Sequence, residues 1–367
     1  MKIEELFIKL VEIDSPVGKE KELASFVMGE LEKLNFNPEQ DKFGNIIARS
    51  KNFDPEKSIL LCAHLDTTES TEGISPINKD GIIYSDGKTI LGADNKAAIA
   101  EILYTLENNK NLENIELLFT VQEEDGLVGA KNLDKELIKS KKALVLDYSF
   151  PPGHIAIETP SAVIMKTTIF GKPVHGARVN SQHNAIGVSG TCIDSTTTDV
   201  IGKDISYNIG KINGGDVINT APSKVILESE FRSFDYNKLR NFLDKNKEKL
   251  KKIAEERNCE ISIEEAKVGS GYSYNPEDNF VKEIINSFKK IDVKTKLEKS
   301  AGLSDANVLN EYGIKAIEIG YGPQKTHTKE EFVKIKDMEI MSAFLTTLLQ
   351  NQGWTRVDGG NRLAKSS

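Results

Sequence analysis

The 367-residue chain is longer than one hydrophobic core usually serves, which predicts two domains. Apolar residues make up 38% and charged residues 28%, an ordinary globular composition. A net charge of −8 gives no footprint for nucleic acid or anionic lipid, and no apolar run approaches the ~20 residues that span a bilayer.

The first stretch, MKIEELFIKLVEI, sets acids among apolar residues. It reads as an amphipathic helix over 2–13 rather than a secretory signal, and a second helical period covers 18–34. NIIAR (45–49) and SILLCAHLD (58–66) read as strands, and the Gly-rich INKDGIIYSDGKTILGAD (77–94) contains a short hairpin. A helix is expected from about Asn95 to Glu107, followed by the strands IELLFTVQ and KALVLD (142–147). Strands alternating with helices predict an α/β core with a mixed, largely parallel sheet flanked by helices.

Near residue 160 the texture changes. AVIMKTTIFG (162–171) alternates like a half-exposed strand, NAIGVSGTCID (184–194) suits a helix, and SYNIGKING and SKVILESEFRSF read as strands. Residues 236–258 are amphipathic, with Leu239, Phe242, Leu243, Leu250, Ile253 and Ala254 on one face. With CEISIEEAKV (259–268) as the last strand, the order is β-α-β-β-α-β, the ferredoxin-like motif. The α/β texture then returns with a helix at 277–290, a helix start at SDAN, the strand KAIEIG and a helix near 337–351. This predicts a discontinuous first domain (1–161 and 274–351) around an α+β insert (162–273). The tail from 352 to 367 has no period, holds the only tryptophan and reads as disordered.

Three cysteines, Cys62, Cys192 and Cys259, at wide spacing argue against disulfides and a thiolate metal site, which suits a reducing cytoplasm. A metal would therefore need histidines and carboxylates. His64 and Asp66 share one side of a strand end, as a metal-bound imidazole and its supporting carboxylate would. An isolated HxD is more often the mark of a merely hydrogen-bonded histidine. Asp94, between a Gly turn and a helix, suits an N-cap but can also bridge two metals. Glu123 and Glu124 leave an apolar strand side by side and, in extended chain, diverge. Asp147 ends another apolar strand, and His327 follows the strand KAIEIG in a loop. With Asp94 shared, His64, Asp94, Glu124, Asp147 and His327 would give each of two metals three ligands and an open position, with room for a shared hydroxide and a free carboxylate to take its proton.

The order HxD, GADNK, EE-x-G, a strand-end Asp, GKPVHG and a late His-Thr resembles the M20 metallopeptidases, most closely their tripeptidase T-like branch, over residues 1–350. The resemblance implies a zinc-peptidase-like catalytic domain with an inserted lid and dimerisation domain, and two Zn²⁺ per subunit, replaceable by Co²⁺ or Mn²⁺. His64 and Asp147 would hold one zinc, Glu124 and His327 the other, with Asp94 between them and a cis bond after it. Asp66 would orient His64, and Glu123 would be the general base. His175 would reach across a homodimer to the developing oxyanion. Asn219 and Arg232 would bind the peptide backbone or its carboxylate, although Arg232 equally suits a structural ion pair. His154 and His183 match no catalytic motif and read as surface residues. Asn95, Ala98 and Ala301 replace an Asp and two glycines common in the family, which bears on substrate fit. The activity so implied is removal of N-terminal residues from short peptides, tripeptides included, without nucleic-acid or membrane partners. Two alternatives stand beside it: another amidohydrolase of the family, an N-acyl amino acid deacylase or dipeptidase, and a metal-free peptide-binding relative.

Overall fold

The structure, a computed structural model, describes residues 1–175, 183–200 and 202–351; the expected disordered tail lies outside them. In chain order come α1 (Ile3–Val11), α2 (Lys21–Lys33), β1 (Glu39–Gln40), β2 (Ile46–Arg49), β3 (Ile59–His64), β4 (Ile77–Lys79) and β5 (Ile82–Tyr84). There follow α3 (Ala93–Asn108), β6 (Ile115–Thr120), α4 (Val128–Lys131), β7 (Lys142–Tyr148), β8 (His154–Glu158), β9 (Ser161–Phe170) and α5 (Ala185–Val200). Next are β10 (Ser206–Gly214), β11 (Lys224–Ser233), α6 (Tyr236–Glu256), β12 (Glu260–Gly269) and α7 (Asn279–Lys290). The chain closes with β13 (Lys296–Lys299), α8 (Asp305–Glu311), β14 (Lys315–Gly320), β15 (Phe332–Lys334) and α9 (Ile335–Asn351).

These elements divide into two compact units. The first comprises Met1–Ile157, Tyr274–Glu298 and the chain from Ser304 onward; the second comprises Glu158–Ser273 and Lys299–Leu303. The second unit thus starts a few residues before the predicted boundary and takes in a short later segment. The Ser300 N–H bonds the Glu158 carbonyl, and the Arg232 guanidinium bonds the Ala301 carbonyl at 2.9 Å, which ties that segment to it.

The first unit is built on an eight-stranded sheet in the order β1-β2-β6-β3-β7-β14-β8-β13. Its four middle strands are parallel, while β1–β2, β2–β6 and β14–β8 are antiparallel. Every residue of β3 and β6 is buried, including Glu116, as expected for parallel strands covered on both faces. Helices α1, α3, α7 and α9 pack together, α3 lies on β3 and β7, and α8 packs on β7 and β14. Their inward residues, among them Phe7, Leu10, Phe280, Phe288 and Phe344, join the strands in one core. Full burial of such side chains stabilises by about 1.5–3 kcal/mol each.

The second unit is a four-stranded antiparallel sheet in the order β10-β11-β9-β12, with α5 and α6 packed on it. This is the predicted ferredoxin-like arrangement. Asp235 caps α6 by accepting the Lys238 N–H at 3.0 Å, and Leu239, Phe242, Leu243, Leu250 and Ala254 are buried, as the helical period predicts. Helix α5 runs to Val200, past the expected end at Asp194. Its threonines, weak helix formers, are accommodated because Thr196 Oγ1 donates to the Cys192 carbonyl and lies 3.2 Å from Asn246 Oδ1 of α6.

Candidate metal centre

The carboxyl ends of the four parallel strands collect the polar residues of the first unit, at the edge where open α/β sheets place ligands. The register sets His64 against Thr120 of β6 and pairs Cys62 with Val145 of β7. His64 and Asp147 therefore stand level on one face, and Asp147 Oδ1 lies 3.6 Å from His64 Nε2. β14 ends at Gly320, so Tyr321 and the His327 loop leave from the same edge.

Asp94 lies at the middle of the cluster. It follows Gly92, which turns the chain with φ of 72°, and the Asp94–Asn95 peptide is cis. Asp94 Oδ1 is 3.2 Å from His64 Nε2, and Oδ2 is 3.3 Å from His327 Nε2. Two sets of ligand atoms result, His64–Asp94–Asp147 and Asp94–Glu124–His327, and within each set all atoms lie within 4.8 Å of one another. His64–Glu123–Glu124 meets the same limit, so Glu123 borders the same space.

The two glutamates diverge for a reason other than extended chain. β6 stops at Thr120, Gln122 takes φ of 51°, and Glu123 opens a turn whose Gly126 and Leu127 N–H groups donate to its carbonyl. The fully buried Asp66 carboxylate accepts both amides, Oδ1 from Glu123 and Oδ2 from Glu124, at 3.0 Å each. His64 Nδ1 lies 2.9 Å from the Asp66 carbonyl oxygen and 3.5 Å from Asp66 Oδ1. The Asp66 carbonyl is thus the closer partner of the imidazole, while the carboxylate aims the glutamates.

Negative charge dominates the cluster. Burial, with Asp147 and Asp305 nearby, pushes the Glu123 carboxyl well above its usual range. Burial also raises Asp147 to about 7 despite its contact with His64. For Asp94, burial acts upward, but His327, His64 and Tyr321 hold it below the usual carboxylate range. Asp94 and then Glu124 raise His327 to about 10. Asp66, Asp94, Glu123, Glu124 and Asp147 thus face two imidazoles, an imbalance that bound cations would relieve. The donor set suits such ions: Glu124 Oε1 is buried and makes no hydrogen bond, although His327 Nε2 is only 2.9 Å away. Imidazole and carboxylate ligands without thiolate match zinc or a neighbouring first-row divalent ion.

Residues that were not candidate ligands complete the cluster. Tyr321 is fully buried and its Oη donates to Asp94 Oδ1 at 2.6 Å. Glu331, also buried, accepts the Gly92 N–H at 2.8 Å and the Asp94 N–H at 3.0 Å. Asn95 donates to Asp147 Oδ1 at 3.1 Å and to the Leu146 carbonyl at 2.7 Å. The Asn in place of a common Asp therefore touches a candidate ligand, a contact in which an ionised Asp could not donate. The only sequence signal for Glu331 is indirect: a helix start leaves backbone N–H groups in want of an acceptor.

Three candidates lie in the second unit. His175 is exposed and forms a bridge pair with Thr220, and Asn219 is exposed. Arg232 makes a two-bond ion pair with Glu230, both at 2.9 Å, in addition to its bond to Ala301. His154 is not the plain surface residue expected: its Nδ1 lies 2.5 Å from Glu298 Oε2, and its ring stacks on Phe150. The neighbouring strand β13, which carries Glu298, brings that acid to it. No helix among the described residues is long and apolar enough to cross a membrane.

The sequence profile of Peptidase family M20/M25/M40 matches residues 60–351. The uncharacterized protein YqjE of Bacillus subtilis is 28% identical over 359 residues, 94% of this chain and 97% of that protein. A Peptidase T of Clostridium botulinum is 30% identical over 275 residues, 70% of this chain and 65% of the relative. Among solved structures, a tripeptidase from Staphylococcus aureus superposes with a TM-score of 0.89 at 27% identity, covering 96% of this chain and 98% of its own. The chain belongs to peptidase family M20/M25/M40 and is a metal-dependent peptide hydrolase.

Proposed function

We propose that the protein is a dizinc aminopeptidase that releases the N-terminal residue of short peptides, tripeptides among them. The observation that carries this reading is the pair of ligand sets meeting at Asp94, with Glu123 beside them and outside both. The likeness to a Peptidase T and to a solved tripeptidase supports the substrate class. His64 and Asp147 would hold one ion, Glu124 and His327 the other, and Asp94 both; such ions polarise a peptide carbonyl and activate a water. Glu123 takes the proton of the attacking water and delivers it to the leaving amine. Asp66 keeps Glu123 and Glu124 in their separate posts. In the second unit, the proposed lid and dimerisation domain, His175 stabilises the oxyanion across a homodimer, and Asn219 and Arg232 hold the peptide backbone or carboxylate.

A panel of di-, tri- and tetrapeptides with free and blocked termini tests the reading. The expected result is cleavage of the first bond of free-amino tripeptides, loss of activity in a chelator, and its return with Zn²⁺ or Co²⁺. Hydrolysis of N-acyl amino acids in preference to free-amino peptides would replace the aminopeptidase with the deacylase alternative. Fewer than one divalent ion per chain in zinc-supplied protein would favour a metal-free peptide-binding relative.

A further inference from the structure

Asp94 is anchored at two places by one later segment of chain. Its backbone N–H donates to Glu331, as does that of Gly92. Its side chain accepts from Tyr321 Oη at 2.6 Å, and both anchors are buried. The same segment carries His327, whose Nε2 lies 3.3 Å from Asp94 Oδ2. The phenol does not act on the two carboxylate oxygens alike. It bonds Oδ1, the oxygen 3.2 Å from His64 Nε2, and the structure gives it no bond to Oδ2. Its donor therefore fixes the rotation of the Asp94 carboxylate and draws charge from the oxygen turned to the His64–Asp147 side.

The geometry points to Tyr321 as a positioning residue that sets the rotation of the shared Asp94 carboxylate and makes the two metal positions unequal. The inference rests on the two-metal reading above. Glu331 has a different effect: it holds the Asp94 backbone, so its loss moves both carboxylate oxygens together. Outer partners of metal ligands commonly contribute 10–100-fold in metal affinity.

The test is a Co²⁺ titration of the full chain, followed by visible absorption and by competition with a chelating dye. Tyr321→Phe keeps the ring and removes only the hydroxyl. It is expected to weaken one of the two Co²⁺ sites by about 10–100-fold and the other by less than about threefold. Tyr321→Phe also lowers kcat at saturating metal while leaving KM within about twofold, because the phenol acts through Asp94 and not on the substrate. Glu331→Gln is expected to weaken both sites together and serves as the control; if Tyr321→Phe does not fold, the stepwise Co²⁺ affinities of the wild type, expected to be unequal, carry the test. Equal Co²⁺ affinities in wild type and Tyr321→Phe, or equal weakening of both sites by that variant, would overturn the inference and leave the two-metal reading intact. In the wild-type arm, two Co²⁺ sites of equal affinity would overturn it. Wild-type protein that binds fewer than two Co²⁺ would instead overturn the two-metal reading, and the inference with it.

Discussion

Replacing Glu123 with glutamine is expected to lower kcat by about 10²–10⁴-fold while two divalent ions stay bound. The glutamine amide occupies nearly the same volume but cannot accept a proton. The Glu123 backbone is fixed independently of its carboxylate, since its N–H donates to Asp66 and its carbonyl accepts from Gly126 and Leu127. The substitution therefore removes the base and leaves the turn in place. The neighbouring Glu124→Gln should behave differently. Glu124 Oε1 lies 2.9 Å from His327 Nε2 in the second ligand set, so its loss removes an ion as well as activity. Steady-state hydrolysis of a tripeptide, with metal counted by mass spectrometry, separates the two roles. Glu123→Gln activity within threefold of wild type would exclude it as the base. Loss of an ion in that variant would reassign it as a ligand, a role its closeness to His64 and Glu124 permits.

What was legible in the sequence follows from where charge and burial conflict. β3, β6, β7 and β14 read as strands because central parallel strands are nearly unbroken apolar runs. Their terminal acids and histidines stood out because nothing in packing asks for charge there. The edge strands β1 and β13, and β8 next to β13, were missed. They are only two to five residues long, and pairing with neighbours, rather than local pattern, makes them strands. The turn at Glu123 was missed because a non-glycine residue with positive φ, here Gln122, leaves no compositional mark. Tyr321 and Glu331 were invisible for a related reason. A tyrosine after a strand and a glutamate in a KEE run have ordinary surface readings, and only the tertiary fold turns them inward onto Asp94.

Replacing Asp66 with alanine should cost both stability and metal. The side chain is fully buried and each of its oxygens accepts one backbone N–H. Deleting it leaves two donors without acceptors, at about 1–3 kcal/mol each, and so about 2–6 kcal/mol together. Removing a carboxylate from an acidic cluster offsets part of this by relieving repulsion. The balance still favours the carboxylate. Burial acts upward on Asp66, but His64 and the two amides outweigh it and hold the group below its usual range. A lowered carboxylate pKa contributes stability that is present above the unfolded value of 3.8 and is lost as pH falls through the folded one. Wild-type protein should therefore lose stability more steeply than Asp66→Ala below about pH 4. At neutral pH the variant should unfold at lower urea concentration and bind Zn²⁺ about 10–100-fold more weakly, because the Glu124 backbone loses its anchor while the His64 ring keeps the Asp66 carbonyl. Urea midpoints measured with excess chelator isolate the stability cost, and dye competition measures the metal cost. A midpoint unchanged in chelator would show that the two amides find other acceptors, and that the divergence of Glu123 and Glu124 does not depend on Asp66.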